Sequence, residues 1–63
     1  MNATKIKIEL MKKGITQAEI ARWCGVSRQM IGLVINRHCV SRHIQQKISK
    51  VIGKPKEMVF GND

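Results

Sequence analysis

The chain has 63 residues, 43% of them hydrophobic and 3% aromatic, with 12 Lys and Arg against 4 Asp and Glu and a net charge of +8. This composition supports one folded domain, residues 1–63, with a small aliphatic core near the lower size limit for independent folding. It excludes a disordered tail, and no apolar run approaches the roughly 20 residues of a membrane span. So large a positive excess attracts polyanions, either nucleic acid or an anionic membrane surface. The N-terminus lacks the apolar segment of a signal peptide, so a cytoplasmic protein with reduced thiols is expected. Cys24 and Cys39 match neither CxxC nor zinc spacing, and no metal or cofactor is expected.

Punctuating residues divide the chain into five helices. Thr4 is the expected cap of a first helix running through Lys13, with Ile6 and Leu10 on one face and Ile8 and Met11 on another; Gly14 is its stop. The second helix covers about 16–24: Thr16 and Glu19 form an S/T-x-x-E capping box, Ile20, Ala21 and Cys24 make its inner stripe, and Gly25 ends it. The third covers about 27–36, capped by Ser27, with Ile31, Val34 and Ile35 facing inward. Gly32 costs about 1 kcal/mol against Ala in a helix interior. It reads either as room for the close approach of another surface or as tolerated drift. After a loop at 37–40, Ser41 caps an amphipathic helix with Ile44, Ile48, Val51 and Ile52 at helical spacing, stopped by Gly53. Pro55 opens a short last helix to Phe60, beyond which Gly61, Asn62 and Asp63 are expected to fray.

The stretch from Ile15 to Ile35, ITQAEIARWCGVSRQMIGLVI, has the layout of a helix-turn-helix. Ala21 is small enough for the next helix to pack close, Gly25 turns the chain, Val26 plugs the angle, and Ile31 and Val34 pin the inner side of the third helix. The first exposed turn of that helix carries Arg28 and Gln29, with Gly32 and Leu33 one turn on. Arg pairs bidentately with guanine O6 and N7, Gln with adenine N6 and N7, and Leu33 suits a thymine methyl. Charge agrees with this reading: no acidic residue lies between Glu19 and Glu57, while Arg22, Arg28, Arg37, Arg42, Lys47, Lys50, Lys54 and Lys56 do.

With T-Q-A-E-I-A at Thr16–Ala21, G-V-S at Gly25–Ser27, and Ile31 followed by Val34, nearly the whole chain resembles the phage repressor and Cro family, the XRE-like transcription regulators. The resemblance implies an all-α, compact five-helix lambda-repressor-like domain. It implies a bacterial nucleoid or phage-infected host cytoplasm as the setting, and a homodimer on a pseudo-palindromic operator in double-stranded DNA. It implies that Ser27, Arg28, Gln29 and Leu33 line the major groove. Gln17, Asn36 and Arg42, with Thr16 and Arg37 beside them, would meet the DNA backbone. Three departures stand out. Leu10 and Ile35 occupy positions where family members often carry an Arg–Glu pair, and an apolar pair can replace such an ion pair without loss of stability. The usual Asn-Gly turn after the third helix is Asn36-Arg37 here, with Asn36 the residue able to turn left-handed. Gly32 removes a side chain often used toward DNA.

Other function classes have less behind them. His38 and His43 have no nearby carboxylate in the sequence to orient them, and Ser27 and Ser41 read as caps, so no enzyme is expected. Coating of single-stranded nucleic acid needs aromatic platforms, and the chain holds one Trp and one Phe. An antitoxin or protein-interaction module using the same fold is the alternative, with Trp23 near the exposed side of the second helix as its candidate contact. Met58, Val59 and Phe60 read as either core closure or a dimer interface. No small-molecule ligand and no membrane partner are expected.

Overall fold

The computed structural model describes residues 1–61; Asn62 and Asp63, expected to fray, lie outside the described residues. Five helices follow one another: α1 Ala3–Lys12, α2 Gln17–Cys24, α3 Arg28–Ile35, α4 Arg42–Ile52 and α5 Lys56–Phe60. The domain is all-α as expected. Asn2, not Thr4, caps α1, its Oδ1 accepting from the Lys5 N–H at 2.8 Å. Asn is as good a cap as Thr, and starting two residues earlier adds Ala3 and Thr4 to the first turn. Pro55 sits at the cap of α5, and Ser41 holds the cap position of α4 without a side-chain bond.

Three successive helix ends close in the same way. Ile15 N–H returns to Leu10 O and Gly14 N–H to Met11 O; Val26 returns to Ala21 and Gly25 to Arg22; His38 returns to Leu33 and Arg37 to Val34. This is the Schellman arrangement, with one left-handed residue at each pivot. Gly14 and Gly25 supply it at φ 69° and 70°, and Arg37 supplies it at φ 61°. Asn36, the residue expected to turn left-handed, stays near the helical region at φ −84°, ψ 4°. The pivot is the residue whose N–H returns three positions to the helix, and after α3 that residue is Arg37, bonded to Val34 O.

The core draws on every helix: Ile6 and Leu10, Ile20 and Ala21, Ile31, Val34 and Ile35, Ile44, Ile48 and Ile52, and Val59 and Phe60 are all buried. Leu10 and Ile35 both lie inside it. The helix α4 touches the other four and is the keel of the domain. Its inner stripe is Ile44, Gln45, Ile48, Ser49 and Ile52. Val51 is only half-buried, because at about 100° per residue it falls some 90° from the centre of that stripe. The Ser49 Oγ donates to Gln45 O at 2.8 Å, while Gln45 Oε1 is buried without a hydrogen-bond partner among the described residues. Cys24 and Cys39 are both half-buried free thiols packed against the core, so Cys24 is less enclosed than its place on the inner stripe of the second helix implied.

Val59 and Phe60 are 0% and 1% exposed. This corrects the dimer-interface reading of those two residues: a core this small has no other aromatic to fill it, so Phe60 is drawn inward. Met58 alone of the three faces outward, 57% exposed. No helix among the described residues is long and apolar enough to cross a membrane.

Candidate nucleic-acid interface

The start of α3 is built by short-range bonds. Ser27 is extended, and its Oγ accepts from the Met30 N–H at 3.2 Å. At the start of α2, Thr16 Oγ1 accepts from the Glu19 N–H at 3.1 Å while the Glu19 carboxylate takes the Thr16 N–H at 3.4 Å, completing the capping box. These caps set where each helix begins, and so which side chains occupy the first turn. The burial of Ile31, Val34 and Ile35 then sets the rotation of α3. Arg28, Gln29 and Leu33 are left outside.

Arg28, Gln29, Gly32 and Leu33 of α3 and Gln17 of α2 line one open hollow of about 380 Å³. Gly32 contributes no side chain to this lining. A Cβ added there would meet only Gln17 Oε1, at 3.6 Å, an ordinary contact. Internal crowding therefore does not demand glycine, and the missing side chain instead leaves a notch open to the outside. A wider groove of about 680 Å³ adjoins it and shares Gln17 and Arg28; Lys7, Met11, Ile15 and Thr16 are among its other walls. Lys7 is a groove residue that the sequence pattern did not point to. Its spacing four residues before Met11 places both on one exposed face of α1, but only the packing of α1 beside α2 brings that face to the groove.

The remaining candidates divide. Thr16 and Gln17 join the groove; Asn36 and Arg42 are exposed but lie outside both linings. The Asn36 Nδ2 donates to Gly32 O at 2.9 Å. Arg37, expected at the DNA backbone, is exposed and bonds across the surface of the fold: its Nη2 donates to Met1 O at 2.8 Å and to Val59 O at 3.4 Å. The left-handed backbone at Arg37 aims the side chain toward the N-terminus and α5, so this residue fastens the fold. Near it, the Met1 ammonium donates to Met58 O and Val59 O, both at 3.1 Å.

Among the described residues the one ion pair joins Lys12 to Glu9 at 3.4 Å, and Glu19 is engaged in its capping box. Arg28 and Lys7 therefore line the groove without an ion-pair partner among the described residues. No three His, Cys, Asp or Glu side chains gather where they would hold a metal among the described residues; His38 and His43 are exposed. No family model, curated protein or solved structure matches the chain, so the likeness to phage repressors rests on its own residues.

Proposed function

We propose that this protein binds double-stranded DNA sequence-specifically and regulates transcription, with α3 in the major groove. The observation that carries this reading is the hollow in which Arg28, Gln29 and Leu33 meet Gln17, with Arg28 in no ion pair among the described residues. Each part has a task in the proposal. Arg28 and Gln29 offer bidentate hydrogen bonds to purine edges, and Leu33 offers apolar contact to a thymine methyl. The Gly32 notch lets the base edges come close to the helix. Gln17 at the N-terminus of α2, where the helix dipole favours an anion, takes a phosphate. Lys7, across the adjoining groove, and Arg42 add charge along the backbone. Ser27 keeps its hydroxyl hydrogen for a partner while its oxygen caps α3.

One helix reads only a few base pairs, so two copies on half-sites about 34 Å apart are proposed as the working form. Of the C-terminal trio, Met58 is the residue left to contribute to pairing. The stoichiometry of the operator complex by sedimentation tests this, and one chain per minimal operator would remove the dimer.

The experiment for DNA reading is a duplex titration at several salt concentrations, using a site selected from a random pool. Each phosphate neutralised is expected to add about −0.9 to the slope of log K against log salt. Arg28→Ala is expected to cost about 1–3 kcal/mol on the selected site and to relax one base-pair preference. Equal weakening on selected and random duplexes would show that α3 is not the reading helix. A flat salt response would remove DNA binding as the main activity.

A further inference from the structure

A second surface lies away from the reading side. Trp23 follows Gln17 by six positions on α2, which puts it about 120° around the helix from that residue, on the flank toward α4. Its indole is 48% exposed. The Lys47 ammonium of α4 lies 5.6 Å from the ring centroid, and Trp23, Lys47, Lys50 and Val51 line an open hollow of about 300 Å³. That space holds one side chain.

Two unmet requirements coincide here. The core is closed without Trp23, so half an indole is left in water beside the half-buried Val51. Neither Lys47 nor Lys50 has a carboxylate partner among the described residues; Lys47 rests over the ring instead, a contact weaker than the same ammonium gains from ring and carboxylate together. An occupant that satisfies both must bring negative charge and an apolar group at side-chain spacing. We propose that this face docks an acidic segment of a partner protein, its carboxylates on Lys47 and Lys50 and one apolar side chain against Trp23 and Val51. A duplex backbone would answer the lysines but leave the indole and Val51 uncovered. The surface is separate from the α3 hollow, so it stays available when that hollow is occupied, and the proposal does not depend on the DNA reading.

Trp23 is the only tryptophan in the chain, so its fluorescence reports on the site directly. The probe is a synthetic peptide of Asp, Glu and Ser with one central Leu, titrated into the full chain. A saturable blue shift is expected, and replacing the Leu by Ser is expected to weaken binding about tenfold. The double variant Lys47→Glu, Lys50→Glu is expected to weaken it about tenfold as well. The double variant Lys5→Glu, Lys12→Glu has the same net charge and is expected to change it less than about threefold, since neither residue lines the hollow and exposed charges are screened by salt. Circular dichroism melts establish that each variant folds. The proposal is overturned by the absence of a saturable shift, by equal affinity for the Leu and Ser peptides, or by equal losses in the two charge-reversed proteins. It is overturned in favour of a nucleic-acid surface if a random-sequence duplex shifts Trp23 and displaces the peptide, and Lys47→Glu, Lys50→Glu abolishes both effects.

Discussion

The two ends of α3 are finished differently. At its leading end everything is local: Gly25 turns left-handed, Ser27 caps, and Arg28 and Gln29 project outward. At its trailing end the same kind of left-handed pivot is occupied by Arg37, whose guanidinium reaches Met1 O and Val59 O. The leading end leaves its side chains available, and the trailing end ties the helix to the N-terminus and to α5. A helix meant to present a surface needs both: a free front and an anchored back. The difference also shows that a non-glycine residue can hold a left-handed pivot when tertiary bonds compensate its backbone cost.

The largest break in this comparison comes from removing what stands behind the anchored end. Phe60→Ala is expected to cost about 3–5 kcal/mol, because it empties the one aromatic position of a closed core. For so small a domain that is most of its stability. Thermal melting by circular dichroism measures it; a loss below about 1 kcal/mol would mean that Phe60 is not core.

The two pivots are separated by a pair of substitutions. Gly25→Ala has open space for its methyl but puts an L-residue at φ 70°, and is expected to cost about 1–2 kcal/mol. Arg37→Gly relieves a similar cost while losing the guanidinium bonds, so it is expected to stay within about 1 kcal/mol of the parent. Arg37→Ala keeps the backbone cost and loses the bonds, so it is expected to be the worse of the two. If Arg37→Gly and Arg37→Ala melt together, the left-handed pivot carries no measurable cost.

The smallest effect sharpens the account of the free end. Gly32→Ala is expected to stabilise the fold by about 1 kcal/mol through helix propensity, since the new methyl meets only Gln17 Oε1 at 3.6 Å. It is also expected to weaken binding to the selected duplex, because it fills the notch between Arg28 and Leu33. Melting and duplex titration of the same sample separate the two outcomes. Higher stability with unchanged binding would mean that the notch is not used.

Most of the local architecture was legible in the residues. The T-x-x-E box, the glycines after α1, α2 and α4, and the isoleucines at helical spacing mark helix starts, stops and inner faces through bonds and periodicities spanning only a few positions. The presentation of Arg28, Gln29 and Leu33 followed from that spacing: once Ile31, Val34 and Ile35 turn inward, those three turn outward. Tertiary packing decided the rest. It chose core over interface for Val59 and Phe60, because an apolar residue near a chain end serves either purpose and only the vacancy left by the other helices decides between them. It gave Arg37 its bonds to Met1 O and Val59 O, whose partners are distant in sequence. It brought Lys7 of α1 to the groove beside Arg28, and Lys47 of α4 to the ring of Trp23. Short-range hydrogen bonds and hydrophobic period can be read along a chain; which remote surfaces come to face each other is settled only when the helices pack.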